Sequence, residues 1–205
     1  MQRQIEEIYR SHNGIDGYRR MTVYLKRRGY HYSRTTIHTY MNQELGLRSI
    51  VRPKKRGTKP GNPHKVFDMI DLHDRSVVAS ITDRHITSSL AIRTLQKALE
   101  TQNPAQDGLI LHSDQGSQYT SKPFNDFCKT VQVTQSMSKA GYPYDNAVME
   151  RYFNTLKNEC TNLYEFRTEE ELYQKIEEFA YVIYNHERPH SYNGYRTPHQ
   201  ARVTG

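Results

Sequence analysis

Residues 109–117 read Leu109-Ile110-Leu111-His112-Ser113-Asp114-Gln115-Gly116-Ser117, an apolar run, then an acid, then a loop of small residues. A short apolar run bounded by turn residues reads as a buried strand, here Leu109–His112. Asp114 therefore lies at a strand end and opens a loop, the position from which α/β folds present functional groups. Gly116 lets backbone or substrate approach closely. An Asp shortly before a Gly is also a common turn former, and for Asp114 in isolation that reading stays open.

Glu150 follows after 35 intervening residues, in Asp145-Asn146-Ala147-Val148-Met149-Glu150-Arg151. It lies near the start of a long helical pattern, Asn146–Leu163. Met149, Phe153, Leu156, Cys160 and Leu163 recur at helical intervals and predict a core stripe. Glu150, Asn154, Lys157 and Thr161 recur at the same intervals, turned by about 100°. A carboxylate, an amide and an ammonium thus lie in a row at the core edge. A solvated helix face is the simpler reading of Glu150 alone.

Around these acids, strands and helices mix. Val66–Leu72 and Ser76–Thr82 are β-prone and flank His73-Asp74-Arg75, which predicts a hairpin. Ser88–Glu100 has a helical apolar side with Ala91, Leu95 and Ala98. Lys122–Thr130 reads as a helix, Val131–Thr134 as a short strand and Ser136–Tyr144 as a loop. A last helix opens with the capping box Thr168-x-x-Glu171 and carries Leu172, Ile176, Phe179 and Ile183 on one face. The tail after Pro189 reads as irregular.

Residues 4–50 read as three short helices. Ile5, Ile8 and Tyr9 mark the first, Tyr18, Met21 and Leu25 the second, and Ile37, Tyr40 and Met41 the third, which Ser33 caps and Gly46 closes. Opposite that third stripe lie Arg34, Thr35, His38 and Asn42, side chains suited to a DNA major groove or to an ordinary polar face. Residues 51–65 follow as a linker in which three prolines and two glycines stop a helix or central strand. Its six Lys/Arg, Lys54, Lys55 and Arg56 among them, stay solvated or lie along phosphates.

Charge follows the same division. The net charge is +7, but residues 1–65 hold 15 Lys/Arg against 4 Asp/Glu, and residues 66–205 hold 14 against 18. A basic front half on a mildly acidic back half points to a polyanion-binding module joined to a second domain. With 35% hydrophobic residues and a mean hydropathy of −0.90, any core is economical. The two cysteines, Cys128 and Cys160, have no paired spacing and read as reduced thiols. No apolar stretch approaches the ~20 residues of a membrane span, and the N-terminus lacks a signal-peptide core. The expected location is the cytosol.

Several separated strings resemble one family, the insertion-sequence transposases of the IS-three group, with a retroviral-integrase-like core. These are His112-Ser113-Asp114-Gln115-Gly116, then Ser136-Met137-Ser138 followed by Asp145-Asn146-Ala147 and Glu150. Tyr184-Asn185-His186-Glu187-Arg188-Pro189-His190 and Thr197-Pro198 follow, and Gly17 to Arg20 resembles the family's helix-turn-helix. The resemblance implies a ribonuclease H-like α/β core over 66–190, a helix-turn-helix domain over 1–50 and a tail over 191–205. It implies a bacterial transposase that nicks and joins DNA by exchanging phosphodiesters. Asp114 and Glu150 would be catalytic carboxylates that bind Mg²⁺ or Mn²⁺ in a two-metal site. Lys157 and Asn154 would contact DNA. The partners implied are double-stranded DNA, as transposon ends and target, and further copies of the chain.

One part of the family pattern is missing. The family carries its first catalytic Asp on the opening central strand, and the linker here runs almost directly into Val66–Leu72, which resembles the strand after it. Asp71 and Asp74 then flank a hairpin turn rather than serve as ligands. Asp68 is the remaining substitute metal ligand, alternating with Val66, Ile70 and Leu72 toward an apolar face where a carboxylate needs a partner or a metal. Two function classes follow. One is a metal-dependent transposase impaired by this loss; the other is an inactive DNA-binding remnant or regulator of a full-length transposase.

Overall fold

The computed structural model describes residues 1–51, 64–103, 108–139 and 143–204. Lys54, Lys55 and Arg56 lie outside the described residues. The chain divides into two compact units, residues 1–58 with 189–196, and residues 59–188 with 197–205.

The first unit is built on α1 (Gln2–Ser11), α2 (Tyr18–Arg27) and α3 (Arg34–His38), which continues as a wider helical turn over Thr39–Glu44. Ile5, Ile8, Met21, Leu25, Ile37 and Met41 are fully buried together. Tyr9, Tyr18 and Tyr40 pack around this core rather than inside it. Ser33 caps α3 by accepting the Thr36 N–H at 3.0 Å. Gly29 turns the chain after α2 at φ +84°, a conformation glycine adopts without a side-chain clash. Buried Asp16 ties the entry to α2, since Arg20 Nε meets Asp16 Oδ1 at 2.7 Å and His12 Nδ1 meets Oδ2 at 2.5 Å.

The second unit is mixed α/β. Strands β1 (Lys65–Ile70) and β2 (Val77–Asp83) form an antiparallel hairpin with Asp68 opposite Ser80. Strands β3 (Ile110–Ser113) and β4 (Thr134–Met137) pair in parallel, with His112 opposite Ser136. Among the described residues these remain two separate two-stranded sheets. Helix α4 (Ser88–Gln102) connects the hairpin to β3, and α5 (Ser117–Thr120) and α6 (Lys122–Thr130) connect β3 to β4. Helix α7 (Ala147–Leu156) continues to Thr161, α8 (Glu169–Glu178) continues to Glu187, and α9 (Pro198–Thr204) follows.

Alternation along β1 feeds two cores. Phe67 and Met69 join Leu90, Leu95, Phe124 and Cys128. Val66 and Ile70 pack against the cluster of Tyr152, Leu156, Ile176 and Phe179. Residues two apart on a strand share a face, so one strand serves helices on both sides.

Several expectations are corrected. Val131–Thr134 is not a strand, because Gln132 adopts a left-handed φ of +57° and the Val133 N–H returns to the Cys128 carbonyl at 2.9 Å. That closes α6, and β4 starts at Thr134, taking Ser136 and Met137 out of the expected loop. The tail is not irregular, since Thr197 Oγ1 accepts the Gln200 N–H and opens α9. On α7 the buried residues are Tyr152, Thr155 and Leu156, continuing to Cys160; Met149 and Phe153 are only half-buried.

Candidate nucleic-acid-processing site

Asp114 follows β3 directly and is exposed. Its Oδ1 accepts the Gly116 N–H at 2.9 Å, so the acid also shapes the turn that follows. Gly116 has an ordinary φ of −57°. The three atoms nearest to a Cβ there all belong to the flexible Gln118 side chain, and the glycine is not demanded by backbone conformation. The loop is tied to the strand beside it. His112 bridges Ser136 Oγ at 3.0 Å and Ser138 Oγ at 3.2 Å, and Gln115 donates to the Ser138 carbonyl at 3.1 Å. Tyr119 lies close enough for the Asp114 charge to act on it, and burial with that charge raises its phenol pKa.

Glu150 is exposed in the first turn of α7, where the helix dipole favours a carboxylate. Asn154 and Lys157 are exposed along the same row, and Thr161 is half-buried. Asn154 accepts from Asn158 at 2.9 Å. Among the described residues no ion pair engages Lys157.

The two sheets and α7 enclose a cavity of about 690 Å³, lined among others by Asp68, Asp114, Asp145 and Met149. Asp145 and Asn146 reach it from the turn before α7. Their role as lining could not be read from the sequence, because only the turn geometry brings them there. Glu150 is not part of the lining.

Asp68 is only 4% exposed, and neither carboxyl oxygen meets the geometry of a hydrogen bond. Burial pushes its pKa up to about 7, although Ser80, Tyr152 and Lys97 pull the other way. Tyr152 is buried beside it; among the described residues its hydroxyl makes no contact of full hydrogen-bond geometry, and burial with the nearby Asp68 charge raises its phenol pKa. Asp71 and Asp74 are turn residues as expected. Asp71 accepts the His73 N–H and Asp74 the Ser76 N–H, both at 2.8 Å. Arg202 on α9 clamps the pair, meeting Asp74 Oδ2 at 2.5 Å and Asp71 Oδ2 at 2.8 Å.

Two residues of the C-terminal string, Asn185 and Arg188, hold the fold together. Asn185 is buried, and its amide both accepts the Val77 N–H and donates to the Val77 carbonyl at 2.9 Å, as an extra strand residue would. Arg188 binds Glu159 through two nitrogens, at 2.9 and 3.1 Å.

In the helical unit, Arg34 and Thr35 are exposed and Asn42 is half-buried. His38 packs edge-on against Tyr18 at 4.9 Å, and the Arg34 guanidinium sits 5.5 Å from the Tyr195 ring. Arg20 serves Asp16, so only part of the Gly17–Arg20 string is available to a ligand.

Among the described residues no three His, Cys, Asp or Glu side chains converge to hold a metal. Neither Asp114 nor Glu150 belongs to such a group among the described residues.

A profile described as an integrase core domain matches residues 51–143, a second with the same description matches 131–198, and an HTH-like domain matches 1–55. The transposase for insertion sequence element IS904 of Lactococcus lactis is 37% identical over 141 residues, 69% of this chain and 55% of that protein. The putative transposase InsK for IS150 of Escherichia coli is 28% identical over 222 residues, covering 92% of this chain and 77% of that one. That matched span is longer than this chain's 205 residues, so InsK carries residues inside it that have no counterpart here. The chain spans about half the length of the IS904 relative. Among solved structures, the simian T-cell lymphotropic virus intasome in complex with a PP2A regulatory subunit matches with a TM-score of 0.55 at 15% identity, over 98% of this chain and 75% of that one. The HTLV-2 integrase catalytic core in complex with magnesium matches at 0.50 and 16%, over 67% and 92%. The fold is therefore that of an integrase catalytic core, ribonuclease H-like, with a helical N-terminal region. Within that class, the relatives that match this chain are insertion-sequence transposases.

Proposed function

We propose that the chain acts on insertion-sequence DNA, holding a transposon-end duplex but nicking it poorly or not at all on its own. The helical unit binds the duplex through Arg34, Thr35, His38 and Asn42, with the basic residues of 51–65 along the phosphates. The core offers Asp114 and Glu150 to the scissile region, with Lys157 and Asn154 on the DNA side of α7. The observation that carries this reading is the division of the core into two separate sheets and, among the described residues, the lack of any group of three His, Cys, Asp or Glu side chains placed to hold a metal. Phosphodiester exchange by two cations needs carboxylates to hold both, and the described side chains do not make that donor set. Divalent metal and assembly of several copies on DNA therefore belong to a completed site.

A second reading has one observation in its favour. Asp68 lines the same cavity as Asp114, and among the described residues neither of its carboxyl oxygens makes a contact of hydrogen-bond geometry, so it could serve as the third carboxylate. A labelled end duplex separates the two readings. Salt-sensitive binding without nicking, unchanged by Asp68→Asn, supports the first; metal-dependent nicking abolished by Asp68→Asn supports the second.

A further inference from the structure

One cavity of the core is lined by strands from both two-stranded sheets. β1 pairs only with β2 and β3 only with β4 among the described residues, and both β1 and β3 line the cavity between them. In an antiparallel pair, as in a parallel one, every second residue turns its N–H and C=O away from the partner. Such outward groups on β1 and β3 form a template for a further strand.

The slot is also where apolar surface is left uncovered. Leu72 (52% exposed), Ile86 (48%) and Ile110 (63%) are among the most exposed large hydrophobics of the chain, and all three line this cavity. Leu95 and Leu99 of α4 line it too, as do Met149 and Phe153 of α7. The half-burial of Met149 and Phe153, against a sequence pattern that predicts full burial, follows from facing this space.

From these facts we infer that the slot between β1 and β3 accepts one extended apolar segment from another polypeptide, completing the sheet in trans. The occupant is a β-strand of another polypeptide, as the two strand edges and the apolar walls demand. Its chemistry is set by the walls. Main-chain hydrogen bonding on both sides requires an extended strand without proline. Apolar residues from both helix layers require a run that is apolar on both faces, rich in Val and Ile. β1 has six residues and β3 four, so the strand spans about 13–20 Å, or roughly four to six residues. Residues 52–63 of this chain, with prolines at 53, 60 and 63, do not have that chemistry.

This inference rests on the reading that the core is incomplete, but its test does not depend on DNA. The probe is a synthetic peptide of roughly ten residues with a central Val/Ile run, a lysine at each end and one tryptophan. The intact chain has no tryptophan, so the peptide's fluorescence reports binding alone. The expected result is saturable binding of one peptide per chain, with amide exchange slowed in both β1 and β3. A peptide with proline at its centre does not bind. Ile110→Lys weakens binding at least roughly tenfold while leaving the melting temperature of the free chain within a few degrees, because Ile110 is already mostly exposed. Protection at one strand only, equal binding of the proline peptide, or no saturation would overturn the inference. So would self-association of the free chain that blocks the peptide, since the occupant would then be a second copy. Peptide binding without end-duplex binding would sink the DNA reading and leave the slot standing.

Discussion

Asp68→Asn tests the core through its least comfortable residue. The folded protein holds the Asp68 proton to about pH 7, whereas an unfolded chain releases it near ~3.9. The folded pKa is raised, so across roughly pH 4 to 7 unfolding releases a proton and stability falls as pH rises. The loss is complete above the folded pKa. At about 1.4 kcal/mol per unit, the window between pH 5 and 7 is worth about 2–3 kcal/mol. That corresponds to roughly 4–12 °C for a chain of this size. Asn keeps the shape and removes the titration. Thermal melts of both proteins at pH 5 and pH 8, followed by circular dichroism, read the difference. The wild type should lose about that many degrees relative to the variant over this range. Parallel curves would mean that Asp68 is solvated or fully paired, and the account of a carboxylate whose burial outweighs its neighbours would be wrong.

Other outcomes follow from single contacts. Asn185→Ala leaves the N–H and C=O of Val77 without their partner; about 2–4 kcal/mol of stability should go, and an unchanged urea midpoint would contradict the clamp. Arg34→Ala should weaken end binding and reduce the salt slope by about one without moving the melt; an unchanged slope in fluorescence anisotropy titrations would remove Arg34 from the interface. Phe124→Ala, at a fully buried site, should cost about 3–5 kcal/mol, and a chemical-denaturation shift well under half of that would mean the core around α6 collapses to fill the cavity.

Much of this architecture can be read from residue order, and the exceptions have physical causes. Helix faces with clear apolar spacing, such as Ile5, Ile8, Met21 and Leu25, predict the helical unit, and the hairpin about His73–Arg75 follows from two β-prone runs. β4 escapes because Thr134-Gln135-Ser136-Met137 has no apolar alternation; pairing with β3 and the His112 bridges to Ser136 and Ser138 hold it instead. The α7 stripe centres on Tyr152 and Leu156, because Met149 and Phe153 face the slot. The acids at 114 and 150 stand out by type and setting, whereas Asp145 reaches the cavity only through the turn before α7. Hairpin acids 71 and 74 read as turn residues from sequence alone, but their clamp by Arg202 depends on a helix that the sequence pattern does not announce.

The central claim is that the chain binds end DNA but lacks a complete catalytic site. The direct measurement incubates purified protein with a labelled transposon-end duplex and Mn²⁺, alongside Asp114→Ala and Asp68→Asn. The account predicts salt-sensitive binding by all three proteins and no nicking above background by any. Metal-dependent nicking by the wild type that disappears in Asp114→Ala would contradict it.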